Sequence, residues 1–359
     1  MFANIYDLEN LIKAYYFARR GKRSKSRICQ FDFFLESNLI KLRYFLTTHT
    51  YLPSPYAHFV INDPKTRQVA APAFRDRVLQ HSLVATIESL FEKKFVYDSY
   101  ACRKGKGTHF GAKRIKKFLM AARCINGKEK EIYVLQCDIR KFFQSISWDI
   151  LISIISKTVK CQQTVELIKK IITTHEQTLG RDLGQLSIFS YTGFDNEAVS
   201  VTSRRGLPIG NLTSQLFANI YLNELDYFAK EVLRERWYAR YMDDFLIIHP
   251  DKNHLLRVRD KIKTFLKDTL DLQLHSKKMV IKNVKEGVPF VGYRIFYDHI
   301  LIRSSTLSHM QKKYKKKIKL FQQGKISQGE LQKIICSIRG HLNHADAHNL
   351  HSYMFKKSV

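Results

Sequence analysis

Acidic residues are scarce in this chain relative to basic ones. The 359 residues include 32 Asp and Glu against 61 Lys and Arg, which gives a formal net charge of +29. A protein with this excess repels itself unless a polyanion is nearby, and Lys and Arg release counterions when they approach phosphates. The basic residues run through the whole chain instead of forming one amphipathic helix beside an anchor, which disfavours an anionic membrane surface. The composition therefore indicates a nucleic-acid partner.

Long apolar runs and clustered cysteines are also missing. No apolar stretch approaches the roughly 20 residues that a membrane-spanning helix needs, and the N-terminal segment lacks the uninterrupted apolar core of a secretory signal. The six cysteines are scattered without a Cys-x-x-Cys pair, which disfavours a zinc site or a disulfide framework. We therefore expect a cytoplasmic protein with no membrane association.

Helical and strand patterns are mixed along the chain, and they predict an α+β fold. Helices are predicted near 5–19, 30–48, 74–95, 109–123, 147–158, 162–174, 212–231 and 253–269, with three basic helices in 304–359. Strands are predicted at 132–137, 279–284, 289–296 and 299–303, as a strand–turn–strand at 236–249, and as short strands with turns in 50–73. The polar segment 175–204 receives no assignment.

Three aspartates stand beside apolar strand patterns. Asp138 follows the run 132–137, and Asp243 and Asp244 precede the run 245–248. Adjacent carboxylates in a turn are usually only solvated, and an Asp after a strand is often a helix cap. Carboxylates held rigidly together are stable as anions chiefly when they share a cation, and two-metal phosphoryl transfer uses such carboxylates. The pattern therefore offers a metal site as the alternative to a solvated turn.

The order of the motifs resembles that of reverse transcriptases of the bacterial type. A glycine-rich turn at 206–210 leads into an amphipathic helix, and it lies between Asp138 and the Asp243–Asp244 pair. Five segments are similar to family motifs in the expected order: 138–146 (DIRKFFQSI) to motif A, 206–215 to motif B, 241–244 (YMDD) to motif C, 270–281 to motif D and 289–296 to the primer grip. Segments 63–83 and 99–114 resemble fingers segments shared with group II intron enzymes.

The resemblance implies a right-hand polymerase with fingers, an antiparallel palm sheet and a helical thumb. The implied domains are an N-terminal helical extension (1–48), fingers with part of the palm (49–134), palm with fingers insertions (135–303) and thumb (304–359). The implied reaction is RNA-directed DNA synthesis from dNTPs on a template RNA, which produces a cDNA/RNA duplex.

Metal ligands and a sugar gate are implied by motifs A and C. Asp138 and Asp243 would be the principal ligands of two Mg²⁺ ions, with Mn²⁺ as a substitute, and Asp244 would support them. Ile139 would place a backbone carbonyl near the second ion. Phe143 matches the aromatic gate that excludes a ribose 2′-OH, although a Phe-Phe pair is otherwise usually part of a core.

The remaining implied contacts concern the nucleotide and the primer. Lys65, Arg67 and Arg75 are alternative candidates for gripping the triphosphate, because Arg binds phosphate oxygens in a bidentate manner; the choice among them stays open. Other implied nucleotide contacts are Ile209, Gly210, Gln215 and Lys278, with Lys277 as an alternative to Lys278. The implied primer or template contacts are Tyr241, Met242, Gly292 and Tyr293.

Motif B is similar to that of diversity-generating retroelement enzymes. Ile209 replaces the Gln found in group II intron enzymes, and IGNLTSQ (209–215) follows the retroelement pattern. An apolar side chain cannot form a hydrogen bond beside the incoming nucleotide, and this loss should lower the discrimination between correct and incorrect nucleotides. The resemblance implies error-prone copying at template adenines for diversification of a target gene (mutagenic retrohoming). It also implies a small basic helical accessory protein, the pentameric accessory variability determinant, which would contact N-terminal helix residues Tyr15, Tyr16, Arg19 and Arg20 unless these only pack within the protein.

Other functions remain as alternatives. The enzyme could instead be of the group II intron, retron or phage-defence type, which genomic neighbours would distinguish. A non-catalytic RNA-binding protein is disfavoured because a pure binder gains nothing from carboxylates crowded beside phosphates. An RNA-dependent RNA polymerase is disfavoured by Phe143 and by the YMDD sequence.

Overall fold

The chain folds into two compact units, each assembled from three separate segments. The computed structural model describes residues 1–62, 66–127, 129–185, 204–347 and 350. The first unit contains Met1–Val96, Ile139–Asp226 and Thr264–Gln273, and the second contains Tyr97–Asp138, Tyr227–Lys263 and Leu274–Val359. The boundaries of these two units differ from those of the four contiguous domains predicted from the sequence. The assignment of fingers, palm and thumb to those domains stays a prediction.

The described residues form helices and antiparallel strands in an α+β arrangement. The helices are α1 (Phe2–Tyr6), α2 (Leu8–Arg19), α3 (Ser26–Phe33), α4 (Leu35–Thr47), α5 (Phe74–Glu92), α6 (Thr108–Asn126), α7 (Phe142–Ser145), α8 (Trp148–Thr158), α9 (Gln162–Gln185), α10 (Leu212–Tyr227), α11 (Lys252–Leu270), α12 (Ser304–Gln322) and α13 (Gln328–Leu342). The strands are β1 (Ala57–Ile61), β2 (Arg67–Ala71), β3 (Tyr133–Asp138), β4 (Tyr238–Tyr241), β5 (Asp244–His249), β6 (Val280–Asn283), β7 (Val288–Phe290), β8 (Tyr293–Ile295) and β9 (Ile300–Ile302).

The first unit is mainly helical and also carries the hairpin β1–β2. Helix α2 buries Leu11, Ala14 and Ala18 on one face, the spacing expected of an amphipathic helix. This helix packs against α5, and Asn10 Nδ2 donates a hydrogen bond to Ser82 Oγ at 2.9 Å. The hairpin is antiparallel, with Ala57 opposite Ala71 and Ile61 opposite Arg67.

The second unit contains two antiparallel sheets. The four-stranded sheet has the order β4-β5-β3-β6, and the three-stranded sheet has the order β7-β8-β9. Helix α6 packs against β4, β5 and β8. Its buried residues share one core with Leu246, Phe290 and Leu342, so that core joins both sheets to α13. Two of the candidate metal-binding aspartates, Asp138 and Asp244, lie in the four-stranded sheet, and Asp243 lies in the turn between β4 and β5.

Most of the predicted elements are present, and the differences have local causes. The helix predicted at 5–19 is divided at Asp7, whose side chain caps α2 by accepting from the Asn10 amide. The strand predicted at 289–296 is a hairpin, because Val291 and Gly292 adopt positive φ angles of 45° and 89°. The helix predicted at 212–231 ends at Tyr227 and continues as one π-helical turn, Phe228–Val232.

Two predictions extend beyond the described residues. The unassigned segment 175–204 is helical in α9 to Gln185, and residues 186–203 lie outside the description. Of the three helices predicted in 304–359, α12 and α13 are present, and the third falls mostly outside it. None of the helices in the described part of the chain has the length and apolar character required to cross a bilayer.

Candidate active site

Two of the candidate aspartates face each other at one end of the four-stranded sheet. Strand β3 ends at Asp138, strand β5 begins at Asp244, and the two residues are direct partners in the antiparallel register. Paired residues of antiparallel strands lie about 4.5–5.5 Å apart between Cα atoms. Segments separated by more than 100 positions in the sequence are thereby brought into one carboxylate pair.

The third aspartate lies in the tight turn between β4 and β5. Tyr241 and Asp244 are paired across this hairpin, so only Met242 and Asp243 form its turn. Met242 has a φ angle of 54°, the left-handed conformation that two-residue hairpin turns commonly require. The flanking Ala239 and Phe245 are fully buried, and the turn is therefore fixed to a rigid sheet.

A buried arginine braces this turn. The Arg240 side chain is fully buried; its Nη1 donates to the Met242 carbonyl at 3.1 Å and its Nη2 to Ser99 Oγ at 3.2 Å. Sequence reasoning did not assign Arg240 a role. An Arg in the otherwise apolar strand pattern YARY was the available signal, because a buried Arg must be hydrogen-bonded.

The segment around Asp98 supports the same strand. The Asp98 carbonyl accepts from the Arg240 amide at 2.9 Å, and the Arg240 carbonyl accepts from the Tyr100 amide at 3.0 Å. The nearly buried Asp98 carboxylate accepts from Tyr100 Oη at 2.8 Å and from Arg114 Nε at 2.9 Å. A third donor, Lys230 Nζ, lies 3.6 Å from it. Asp98 thus neutralises basic groups behind the turn, and it too was missed from the sequence.

Burial, followed by the negative charges of Asp138 and Asp243, raises the pKa of Asp244 to about 7, and the cations Lys278 and Arg303 oppose the rise. An acid in this setting favours an added positive charge. Lys278 already supplies one, since its Nζ lies 2.7 Å from Asp138 Oδ2.

Lys278, and not the alternative Lys277, therefore contacts the carboxylate cluster. The short helical turn Ser276–Lys278 is tied to the end of β3 because the His275 amide donates to the Asp138 carbonyl at 2.8 Å. Within the described residues, no three His, Cys, Asp or Glu side chains already stand in a metal-holding arrangement. Carboxylate oxygens are nevertheless the ligands that Mg²⁺ prefers. The ammonium group of Lys278 beside Asp138 shows that a positive charge is stable at this position.

The predicted nucleotide contacts of motif B lie beside strand β2 in the first unit. The Ile209 carbonyl accepts from the Ala70 amide at 3.0 Å. Gly210 has a φ angle of 117°, and a Cβ there would lie 2.8 Å from Val69 Cγ1. Ile209 and Gln215 are half-buried. The glycine therefore permits a close approach between motif B and the strand that carries Arg67.

The three triphosphate candidates differ in their surroundings. Arg75 is held within the protein, since its Nε donates to Asp76 Oδ1 at 3.1 Å and its Nη2 donates to the Leu52 carbonyl at 2.8 Å. Arg67 is exposed at the start of β2. Lys65 lies outside the described residues. Among the two described candidates, Arg67 is thus the better placed to meet a ligand.

The Phe-Phe pair of motif A is divided between core and surface. Phe142 is buried, with 3% of its surface exposed, whereas Phe143 is half-buried, which leaves Phe143 accessible for the predicted sugar gate. Ile139 is buried and belongs to the first unit, and its proposed carbonyl contact to a metal stays a prediction.

The predicted primer-grip residues occupy the β7–β8 turn. Tyr293 is fully buried; its hydroxyl lies 2.8 Å from His109 Nδ1 and donates to the His341 carbonyl at 3.1 Å. The Tyr293 side chain is thus held within the protein beside the turn at Gly292, and the part of both residues in seating the primer stays a prediction. Tyr241 and Met242 are half-buried beside Asp243.

The chain is similar to known proteins over much of its length. The family model described as "Reverse transcriptase (RNA-dependent DNA polymerase)" matches residues 62–295. Protein YkfC of Escherichia coli (strain K12) is 24% identical over 276 residues, which cover 68% of this chain and 67% of YkfC. Group II intron-encoded protein LtrA of Lactococcus lactis subsp. cremoris is 24% identical over 329 residues, which cover 74% of this chain. The chain spans 50% of LtrA.

A solved structure supports the fold. Apo telomerase from Candida Tropicalis superposes with a TM-score of 0.54 at 13% sequence identity, and the match covers 84% of this chain and 60% of that one. At this identity the likeness concerns the fold alone. The α+β, right-hand polymerase fold expected from the sequence is confirmed.

Proposed function

The chain belongs to the reverse transcriptase (RNA-dependent DNA polymerase) family, and from this premise we propose that it extends a primer on an RNA template with dNTPs at Asp138, Asp243 and Asp244. The observation that carries the proposal is the register that pairs Asp138 with Asp244 and places Asp243 in the adjoining turn. Motifs A and C thus meet at one end of one sheet.

The three carboxylates are the residues that would hold two Mg²⁺ ions, with Mn²⁺ as a substitute. The ions supply activation of the primer 3′-hydroxyl and stabilisation of the leaving pyrophosphate. Lys278, whose Nζ lies 2.7 Å from Asp138 Oδ2, is the cation that would give a proton to the leaving group. Arg240 keeps the turn at Met242 fixed while these charges change.

Discrimination between dNTPs and NTPs tests the site beyond the aspartates. We expect primer extension on an RNA template to prefer dNTPs, because the half-buried Phe143 ring would collide with a ribose 2′-OH. Phe143→Ala should raise the rate with NTPs by at least about tenfold relative to dNTPs. Phe142→Leu is the matched control, since Phe142 lies in the core and should leave the sugar preference unchanged. An unaltered preference in Phe143→Ala would reject the gate.

For the biological role, the proposal is error-prone synthesis of cDNA from a template-repeat RNA for diversification of a target gene. Its support is motif B, where Ile209 replaces a hydrogen-bonding Gln and its backbone is bonded to the strand that carries Arg67. Sequencing of cDNA should show errors concentrated opposite template adenines. Ile209→Gln should reduce those errors, and Ile209→Leu, which stays apolar, should retain them.

Intron-type reverse transcription is the second candidate. The similarity to the group II intron-encoded protein LtrA over 74% of this chain favours it. Errors spread evenly over all template bases, and unaffected by Ile209→Gln, would support this candidate over diversification.

The accessory protein is a further part of the diversification proposal. Tyr16 is exposed on α2 and Arg20 is exposed directly after it. Tyr15 is buried and donates to Asp32 Oδ1 at 2.6 Å, and Arg19 donates to the Tyr15 hydroxyl at 2.6 Å. Of the four residues considered, only Tyr16 and Arg20 can meet a partner without rearrangement. Tyr16→Ala with Arg20→Ala should abolish co-purification with a small basic helical accessory protein and leave primer extension intact; unchanged co-purification would reject this contact.

A further inference from the structure

A cavity of about 280 Å³ opens in the second unit. It is near the lower end of the roughly 300–1,000 Å³ range of small-molecule sites, enough for one small ligand. Leu119, Ile132 and Val284 form its apolar floor, and Leu119 and Ile132 are buried. Ile132 precedes Tyr133, the first residue of β3, whereas Asp138 ends that strand. At about 3.4 Å per residue, Ile132 lies roughly 20 Å along the strand direction from Asp138.

Three cations surround the opening. Arg123, Lys130 and Lys285 all line the cavity, and no ion pair among the described residues includes any of them. The neighbouring carboxylate of Glu131 accepts from Asn283 Nδ2 at 3.1 Å and from the Tyr133 hydroxyl. The Glu131 carboxylate is therefore engaged by neutral donors, and within the described residues no carboxylate is ion-paired with the three cations of the cavity.

Aromatic rings complete the wall. Phe296 and Tyr297 line the cavity, and 43% of the Tyr297 surface is exposed. The Arg123 guanidinium lies 3.8 Å from the centre of the Tyr297 ring. Such a stacked Arg–Tyr pair presents a flat surface on which a nucleobase can stack, while the guanidinium keeps donors for phosphate oxygens.

We propose that this cavity, lined by Arg123, Lys130, Lys285 and Tyr297, is a second nucleotide-binding site that takes one base with its phosphate. Three unpaired cations match a phosphate, and the aromatic and apolar walls match a base. The ligand is either a free nucleotide or one unstacked nucleotide of an RNA strand. The site is distinct from the carboxylates and does not depend on the polymerase reaction.

Titration of the metal-free protein with 5′-AMP tests the proposal, since the omission of metal suppresses nucleotide binding at the aspartates. Lys285→Gln removes an exposed charge and should weaken 5′-AMP binding by about tenfold. Tyr297→Leu should cause a similar loss by removing the stacking surface. Lys117→Gln is the matched control, because Lys117 is exposed on the same helix as Arg123 but does not line the cavity.

Photocrosslinking locates the ligand independently of affinity. 8-Azidoadenosine 5′-monophosphate should label peptides that contain Tyr297 or residues 284–285. If a single-stranded RNA pentamer suppresses the crosslink at a lower concentration than 5′-AMP does, the natural ligand is a nucleotide of an RNA strand. If only 5′-AMP suppresses the crosslink, the natural ligand is a free nucleotide. Absence of crosslinks in the cavity, or equal weakening by Lys285→Gln and Lys117→Gln, would overturn the proposal. Primer extension on a short template should be unchanged in Lys285→Gln, which separates this site from the polymerase site.

Discussion

At the scale of single residues, ionisation of Asp244 links the site to the stability of the fold. Its pKa is raised from 3.8 to about 7 by burial and by two neighbouring carboxylates. The native state therefore holds a proton that the unfolded state has lost between these pH values. The resulting stabilisation is fully present below about pH 4 and disappears as the pH rises through about 7, at up to roughly 1.4 kcal/mol per pH unit.

Comparison with Asp244→Asn isolates this contribution. In metal-free buffer, the free energy of unfolding of Asp244→Asn should exceed that of the wild type at pH 7.5, and the difference should shrink towards pH 5. Denaturant unfolding at both pH values measures it, and other titrating groups cancel in the difference. A difference that does not vary with pH would contradict the coupling. Added Mg²⁺ should raise the free energy of unfolding of the wild type at pH 7.5 and so reduce its difference from Asp244→Asn, because Mg²⁺ stabilises the ionised carboxylates.

Asp98 provides a second prediction for a single residue. Asp98→Asn leaves Arg114 and Lys230 without a buried counterion, and the expected loss is about 3 kcal/mol in the free energy of unfolding. Asp149→Asn is the control, since the Asp149–Arg204 pair is more than half exposed on both sides and should contribute less than about 1 kcal/mol. Chemical denaturation of both variants measures the contrast. Equal losses in the free energy of unfolding would show that the contacts of Asp98 with Arg114 and Lys230 stabilise the fold no more than an exposed ion pair does.

At the scale of elements, two glycines allow a matched test of backbone geometry. Gly210→Ala should destabilise the protein by about 1–3 kcal/mol, because φ is 117° and the new Cβ would lie 2.8 Å from Val69 Cγ1. Gly340 lies in α13 with no atom within 4 Å of an added Cβ. Gly340→Ala should therefore stabilise by roughly 0.5–1 kcal/mol. Thermal unfolding of the two variants should shift in opposite directions; shifts of the same sign would contradict this geometry.

Elements with a local signal were predictable from the sequence. The 236–249 hairpin follows from two apolar runs around a polar turn, and β3 follows from one apolar run that ends in an Asp. The break at Val291–Gly292 was not predicted, because Val rarely adopts a positive φ and the pattern continues through it. The burial of Tyr293 depends on contacts with the distant His109 and His341, so neighbouring residues in the sequence do not indicate it. For the same reason, the pairing of Asp138 with Asp244 required the family resemblance.

At the scale of the whole molecule, the net charge of +29 should dominate binding to RNA. Raising the salt concentration from about 50 to about 200 mM should weaken RNA binding by at least about 10³-fold, because counterions released by the phosphates must be displaced again. Fluorescence anisotropy with a labelled RNA measures the slope. The melting temperature without RNA, recorded in the same buffers, controls for unfolding. A nearly flat salt dependence would contradict an interface built mainly on phosphate contacts.

The direct test of the account is Mg²⁺-dependent primer extension on an RNA template by the wild type, Asp243→Asn and Asp268→Asn. Asp268 is exposed on α11 and controls for the loss of one negative charge. The account predicts extension with dNTPs by the wild type and by Asp268→Asn, and a loss of at least about 10³-fold in Asp243→Asn, because metal-assisted charge stabilisation supplies several kcal/mol. Extension at the wild-type rate by Asp243→Asn would contradict the assignment of catalysis to this carboxylate cluster.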